Sequence, residues 1–138
     1  MVYRNIFIAL IILCSTLSLQ AQEDHYDKKI PKIIQGEVGK RSTFEIVIDV
    51  EEGIQINEEY PHNVQKVQAD SEILITSTNA TGLIEGQKIT YPISFIPEVG
   101  GKFTIMGEIR FSLTYEDHRH LEIFHFNVEV NVNQPEGL

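Results

Sequence analysis

The chain has 138 residues, enough for one domain, and a formal net charge of −9 at neutral pH. Such an acidic protein is a poor match for nucleic acids or anionic membranes, since both are polyanions. The single cysteine is Cys14, so residues 22–138 hold no thiol, which excludes disulfides, thiol redox catalysis and thiolate metal ligands from that part.

The N-terminal segment, residues 1–21, has the layout of a signal peptide. One basic residue, Arg4, precedes an apolar run from Ile6 to about Leu19, and Ala21 supplies a small residue at a plausible cleavage point. The apolar run is shorter than the roughly 20 residues that a membrane-spanning helix needs. We therefore predict an exported protein, periplasmic or secreted, whose mature chain has no transmembrane span.

After this segment the sequence predicts short strands separated by turns. Residues 22–31 are charged and lack periodicity, which is typical of an irregular lead-in, and a first short strand is possible between Lys32 and Lys40. Pro92 interrupts an alternating run; because proline cannot donate a hydrogen bond, this predicts an edge strand or a bulge. Strands are predicted, from alternating apolar and polar residues or short apolar runs, over 42–50, 54–56, 72–78, 88–95, 102–113 and 122–132.

These strands recur with glycine and asparagine turns between them, and no stretch of helical length repeats its apolar residues at 3.6. We predict an all-β fold, an immunoglobulin-like antiparallel β-sandwich of about seven to eight strands. The predicted organisation is a signal peptide (1–21), a lead-in with a possible first strand (22–39), the sandwich (40–133) and a tail (134–138). The last two long strands should form a hairpin connected by "TYEDHRHL", residues 114–121.

Histidines cluster in and beside this connection. Residues two apart in a strand point the same way, so His118 and His120 could share a copper or zinc ion, which imidazole suits. His125 has the opposite parity and should face away from them. A third ligand would have to come from an acid of the turn or from a distant residue such as His62. The alternative interpretations are a solvated hairpin tip without metal, or a pH response of the imidazoles.

No pattern typical of an enzyme is visible. The serines lack a nucleophile-elbow context, neighbouring acids diverge in an extended chain, and no helix follows the Gly100–Gly101 pair to bind a phosphate. We expect no enzymatic activity, and no cofactor unless the histidines bind copper or zinc.

Three stretches of the sequence together resemble one known family. They are "GIQINEEYPHNV" (53–64), "GGKFTIMGEIRFSLTYEDHRH" (100–120) and "LEIFHFNVEVNV" (121–132). The pattern is similar to that of the N-terminal periplasmic domain of the disulfide reductase DsbD and of related stand-alone exported domains. The resemblance covers most of residues 40–132 and implies an immunoglobulin-like sandwich.

In that family the final hairpin carries two redox cysteines, and the resemblance implies which positions of this chain correspond to them. The first corresponds here to Thr114, and the second falls near Arg119 or His120. None of these residues is a cysteine, and a thiolate is required to attack a disulfide. The resemblance therefore implies the fold of this family for the chain, but not its redox activity.

We accordingly expect a non-catalytic interaction module with a protein partner in the periplasm or at the membrane surface. Its contact surface would combine the connection "NEEYPH" (57–62) with the hairpin tip, provided that both lie at the same end, and tyrosine is favoured at such surfaces. The alternative is a periplasmic metal-handling protein that uses His118 and His120. The candidate binding residues are Tyr60, Pro61, His62, Thr114, Tyr115 and Asp117.

Overall fold

The computed structural model describes residues 25–77 and 81–134; the predicted signal peptide and nearly all of the predicted tail lie outside these ranges. Within them there is no helix, and hence no helix suited to crossing a membrane. The strands are β1 (Tyr26–Lys29), β2 (Ile33–Glu37), β3 (Ser42–Val50), β4 (Gln55–Ile56), β5 (Val64–Ala69), β6 (Ile73–Ile75), β7 (Leu83–Glu85), β8 (Lys88–Pro97), β9 (Gly101–Tyr115) and β10 (His118–Asn133).

The strands form two sheets. The first has the order β1-β3-β8, and both β6 and β7 pair with the far edge of β8. The second has the order β2-β10-β9, and both β4 and β5 pair with the far edge of β9. The short strands β6 and β7 lie end to end along one edge of β8, and β4 and β5 do the same along β9. Each of these pairs counts as one strand of its sheet, so each sheet is four strands wide and the ten strands occupy eight positions. This layout agrees with the predicted seven to eight strands.

The strand order is that of an immunoglobulin-like domain. Among the described strands every pairing is antiparallel except that of β2 with β10. Labelled as in immunoglobulin domains, β1, β3, β8 and β6/β7 take the A, B, E and D positions, while β4/β5, β9 and β10 take C, F and G. The prediction of an immunoglobulin-like β-sandwich is confirmed.

The core lies between the inner faces of the two sheets. Alternate residues of the long strands supply it, as the period-two pattern of the sequence predicted. Each fully buried aliphatic or aromatic side chain stabilises the fold by ~1.5–3 kcal/mol. The largest of them are Tyr91, Phe95, Phe111, Ile46, Ile48, Ile89, Ile93, Ile105, Ile109 and Leu113.

The interpretation of residues 22–31 as an irregular lead-in was wrong for Tyr26–Lys29, which form β1 against β3. The ring of Tyr26 is 7% exposed and packs edge-on against Phe111, with ring centroids 4.9 Å apart. The other three residues of β1 are exposed and charged. One aromatic residue thus anchors the strand, and a single apolar position gives no periodicity to detect.

Pro92 lies inside β8, yet at a locally unpaired edge. Along the edge of β8 that faces away from β3, β7 pairs with residues 88–90 and β6 pairs with residues 95–97. Ser94 directs its backbone groups to this side, since its N–H donates to Ser77 Oγ and its carbonyl accepts from Thr76. Pro92 has the same parity, so its missing donor falls in the gap between β7 and β6.

Candidate functional site

The hairpin tip is a tight two-residue turn. Tyr115 at the end of β9 pairs with His118 at the start of β10, and Glu116 and Asp117 between them have φ angles of 51° and 60°. Positive φ at both central residues is the requirement of a type I′ turn, whose twist matches that of the flanking strands. The connection is therefore much shorter than residues 114–121, and all of these residues except the central pair belong to strands.

Asn57 joins the connection 57–62 to the hairpin. Its backbone N–H donates to the carbonyl of Ser112 at 2.9 Å, and its side-chain Nδ2 donates to Ser112 Oγ at 2.8 Å. Its Oδ1 accepts from Thr114 Oγ1 at 2.8 Å. Just before it, Gln55 pairs with Thr114 in the ladder between β4 and β9. The two predicted contact segments thus lie at the same end of the sandwich.

These bonds border a polar groove of about 280 Å³ at this end. Arg119 lies directly opposite Thr114 in the β9–β10 ladder, on the same face of the hairpin. The two acids Glu58 and Glu59 are exposed on the connection that faces it. The groove therefore offers donors, acceptors and charges of both signs. Its lining consists of Gln55, Asn57, Glu58, Glu59 and Arg119.

The remaining residues of the connection lead away from the tip. Tyr60, half-buried, donates its backbone N–H to the carbonyl of Asn57 at 3.2 Å, and Pro61 is exposed. His62 donates from Nδ1 to the carbonyl of Tyr60 at 2.8 Å, while its own carbonyl accepts from Gly82. Tyr60 and Pro61 therefore follow the groove residues in the chain without lining the groove, whereas His62 is held against its own connection and the chain before β7.

The opposite face of the tip carries a group of aromatic rings. The imidazole of His120 stacks on the ring of Tyr115, with centroids 3.7 Å apart and planes inclined by 5°. His25, just before β1, also contacts Tyr115 at 4.2 Å, and its Nδ1 lies 3.5 Å from a carboxylate oxygen of Glu51. Burial, with nearby carboxylates, raises the pKa of the Tyr115 phenol. Tyr115 is therefore packed among neighbours rather than displayed alone.

The histidines divide between the two faces of β10. His118 and His120 share one face, and His118 is exposed. His125 lies on the other face, where its Nε2 is 3.8 Å from Glu108. Nε2 of His120 is buried without a hydrogen-bond partner in the described ranges. Across residues 25–77 and 81–134, no three His, Cys, Asp or Glu side chains are grouped so as to hold a metal ion.

The outer face of the second sheet holds a buried carboxylate that the sequence pattern does not predict. Glu108 is 4% exposed, although its parity in β9 places it outside the core. Arg110 Nε donates to its Oε1, and Lys66 Nζ and His125 Nε2 approach its Oε2 at 3.7 and 3.8 Å. The Arg110 hydrogen bond, helped by these cations, holds the pKa of Glu108 below its usual range against the effect of burial. An alternating pattern gives no signal that separates such a residue from a solvated one.

No protein-family model matches the chain, and no curated protein does. Among solved structures, a PapD-like domain of human CEP192 is similar at 15% identity and a TM-score of 0.44, covering 81% of this chain and 87% of that one. Murine CRIg is similar at 12% identity and 0.41 (80% and 99%), and AggA, the major subunit of an Escherichia coli aggregative adherence fimbria, at 8% and 0.40 (78% and 93%). Similarities at this level carry no information about function.

Proposed function

We propose that this protein is an exported, non-catalytic β-sandwich that binds a protein partner at its hairpin tip. The observation that carries the proposal is the set of Asn57 hydrogen bonds to Ser112 and Thr114. They fix an otherwise irregular connection against a tight hairpin and so make one continuous surface from two chain segments. A preorganised surface loses less conformational entropy on binding than free loops would.

The side chains around this surface suit a polar partner with an aromatic or aliphatic anchor. Tyr60 and Pro61, which follow the groove residues in the chain, offer apolar contact, while Arg119 and the two acids of the connection offer charge. Asp117 projects at the turn, where it is exposed. Residues 22–138 hold no thiol, and no serine among them has a nucleophile-elbow context, so recognition is the function that we favour over catalysis.

The kinship proposed for this module is with the DsbD N-terminal domain and its stand-alone relatives. Thr114 and Arg119, the positions assigned to the family's cysteines, are cross-strand partners, whereas His120 pairs with Leu113. Paired Cα atoms in an antiparallel ladder are ~4.5–5.5 Å apart, which a disulfide can span. A Thr114→Cys/Arg119→Cys variant should therefore form an intramolecular disulfide in air, and a Thr114→Cys/His120→Cys variant should form it far less completely.

The binding proposal is tested by site-specific photo-crosslinking in cells that make the protein. The photoreactive residue p-benzoylphenylalanine replaces Glu58 or Asp117 at the tip, and Glu45 on the outer face of the first sheet serves as the exposed control. We expect discrete adducts from both tip positions and none from Glu45. The Asn57→Ala change should weaken the adducts because it releases the connection from the hairpin.

Adducts of equal strength from Glu45, or none from either tip position, would contradict the proposal. Export is checked in the same cells, since we expect residues 22–138 in the extracytoplasmic fraction with a new N-terminus close to residue 22. A variant lacking residues 1–21 should stay inside the cell. Retention of the full-length chain in the cytoplasm would refute the export part alone.

A second candidate function, metal handling, has one observation in its favour. Nε2 of His120 is buried without a hydrogen-bond partner in the described part of the chain, and in the tautomer that carries its proton on Nδ1 this nitrogen can bind a metal. His118 stands two residues away on the same face of β10. Imidazole is a ligand that suits Cu(II) or Zn(II).

Calorimetric titration with Cu(II) and Zn(II) separates this function from the first. Metal handling predicts stoichiometric binding that is lost in His118→Ala/His120→Ala and kept in His125→Ala, whose side chain lies on the opposite face. Absence of heat in the unmodified protein, or equal binding in all variants, would leave the partner-binding function as the better account.

A further inference from the structure

The exposed apolar side chains of the domain concentrate on one surface. Seven large hydrophobic side chains are exposed within residues 25–77 and 81–134. Four of them lie on the outer face of the second sheet, because they alternate with buried residues of β9 and β10 or pair with outward residues of β10. These four are Ile33, Met106, Leu121 and Ile123. Met106 and Ile123 lie nearest the residues described next, since Met106 pairs with Asn127 and Ile123 is two residues from His125. Folding does not require these two side chains to be exposed, so their position points to contact with another molecule.

The same face carries positive charge on an acidic protein. Lys66, Arg110 and His125 converge on Glu108, the carboxylate described above. Glu108 is buried, whereas the side chains of Lys66 and His125 are 67% and 76% exposed. Arg110 is paired with Glu108, so the charge that a partner meets comes from Lys66 and, in its protonated form, from His125, although the whole chain has a net charge of −9. The hidden carboxylate holds the cations in place beside one another.

A cleft opens at the centre of this face. The register between β5 and β9 shifts between Gln65 and Gln68, and Lys66 within that bulge has a φ angle of 52°. Gly107 lies opposite the bulge, and on its core side the buried ring of Phe126 occupies the space that a Cβ atom would need. The resulting cleft measures about 390 Å³, within the range of ligand pockets. Its lining is Lys66, Gln68, Met106, Gly107, Glu108, His125, Phe126 and Asn127.

We propose that this surface docks an acidic segment of a second protein. An apolar side chain of the segment enters the cleft against Met106, and flanking carboxylates pair with Lys66 and with His125 in its protonated form. Charge complementarity selects an acidic partner. It also argues against a symmetric pair of copies, since a two-fold contact would bring these cations against their own counterparts.

The cleft is distinct from the groove at the hairpin tip, although both open on the outer face of the second sheet and Leu121 lies two residues from Arg119. His125 lies six residues along β10 from Arg119, which at ~3.3 Å per residue puts them about 20 Å apart. The two sites can therefore fail or succeed independently, and the docking inference does not rest on the proposed function.

The probe is a phage-displayed library of random dodecapeptides, selected on the full chain. We expect enriched peptides in which aspartate or glutamate flanks a large apolar residue. Lys66→Glu should weaken their binding by about tenfold or more, because charge reversal replaces attraction with repulsion. Lys88→Glu is the matched control, an exposed lysine on the outer face of the first sheet, and should leave binding unchanged. Bound peptide should shift the backbone NMR signals of residues 106–108 and 125–127.

Enrichment of basic peptides, no enrichment, or equal losses in both variants would overturn the proposal, as would signal shifts confined to the hairpin tip. Sedimentation of the unmodified protein supplies the remaining control. Self-association that Lys66→Glu abolishes would show that a second copy occupies this face, and the acidic-partner assignment would be wrong.

Discussion

The outer faces of the two sheets differ although their inner faces are alike. On the first sheet the clearest ionic contact is Lys29 with Asp49, 2.5 Å apart, with the lysine side chain 67% exposed and the aspartate 32%. On the second sheet Glu108 is a buried carboxylate that pairs with Arg110 and Lys66 and has His125 Nε2 at 3.8 Å. An exposed ion pair contributes little and is ordinary surface. A buried charge costs free energy unless it is fully paired. Glu108 on the outer face of the second sheet therefore depends on the positions of its partners, whereas the Lys29–Asp49 pair of the first sheet does not.

The inner faces set the scale for every other effect. Phe95 of the first sheet and Phe111 of the second are both fully buried, and both contact other aromatic rings. Truncation of a buried phenylalanine to alanine costs ~3–5 kcal/mol through lost transfer energy and a residual cavity. We expect losses of this size for Phe95→Ala and for Phe111→Ala in urea denaturation. A loss below about 1 kcal/mol for either would show that the sheets do not share one core.

Hydrogen bonds at the ends of the sheets should separate them by a smaller amount. Asn57→Ala removes the side-chain partner of Ser112 and Thr114, which are half-buried or buried, and should cost ~1–3 kcal/mol. On the first sheet, Thr43 Oγ1 and Ser94 Oγ are 2.7 Å apart in an exposed position. Thr43→Val keeps the side-chain shape and should change the free energy of unfolding by less than ~0.5 kcal/mol. Equal effects in denaturation curves would mean that Asn57 has no special role at the tip.

The fold was predictable because two long strands carry most of the pattern. In β9 and β10 apolar residues alternate with polar ones over 15 and 16 residues, and a one-residue slip would expose every core side chain. The short strands were not predictable in the same way. β7 has three residues and β5 contains a bulge, so neither presents enough alternation to detect. They form because the unpaired edges of β8 and β9 are available to them in the folded domain, and the local sequence does not show this.

The site was predictable only where it follows from chain order. The association of residues 57–62 with the hairpin was expected on condition that both lie at one end, and the Asn57 hydrogen bonds show that they do. The contact of His25 with Tyr115 was not predictable, since it depends on the pairing of β1, which a single tyrosine anchors. The burial of Glu108 depends on where Lys66, Arg110 and His125 meet in space, and they belong to three strands.

Acid stability should distinguish the two carboxylates. Hydrogen bonding to Arg110 lowers the pKa of Glu108, and hydrogen bonding to Lys29 lowers that of Asp49. A carboxyl whose pKa is lowered by folding stabilises the protein above its unfolded-state pKa, and this contribution disappears as the pH falls through the folded-state pKa. Glu108→Gln should therefore flatten the fall in stability on acidification.

Asp49→Asn is the matched change on the first sheet. Solvent screens the exposed pair with Lys29, so this variant should follow the acid profile of the unmodified protein more closely. Urea midpoints measured from neutral pH down to about pH 3 compare the two slopes. A profile flattened as much by Asp49→Asn as by Glu108→Gln would show that the buried position of Glu108 adds nothing to its pairing.

The smallest effect concerns two tyrosine hydroxyls, and here we expect opposite signs. Tyr91 in β8 is fully buried, burial raises the pKa of its phenol, and its hydroxyl has no hydrogen-bond partner among the residues that the structure describes. Tyr26 in β1 is nearly as buried, but its hydroxyl donates across the sandwich to Glu122 Oε2 at 3.3 Å. Tyr91→Phe removes an unpaired polar group and should be neutral or stabilise by up to ~1 kcal/mol.

Tyr26→Phe instead removes a donor from a carboxylate and should destabilise by ~0.5–1.5 kcal/mol, measured in the same denaturation series. The two substitutions delete the same atom from similarly buried rings, so their difference isolates the hydrogen bond from the burial. If Tyr91→Phe destabilised as much as Tyr26→Phe, the Tyr91 hydroxyl would have to be hydrogen-bonded to an internal water. The first sheet would then also bury a paired polar group, as the second sheet does at Glu108, and the contrast between the two sheets would be weaker.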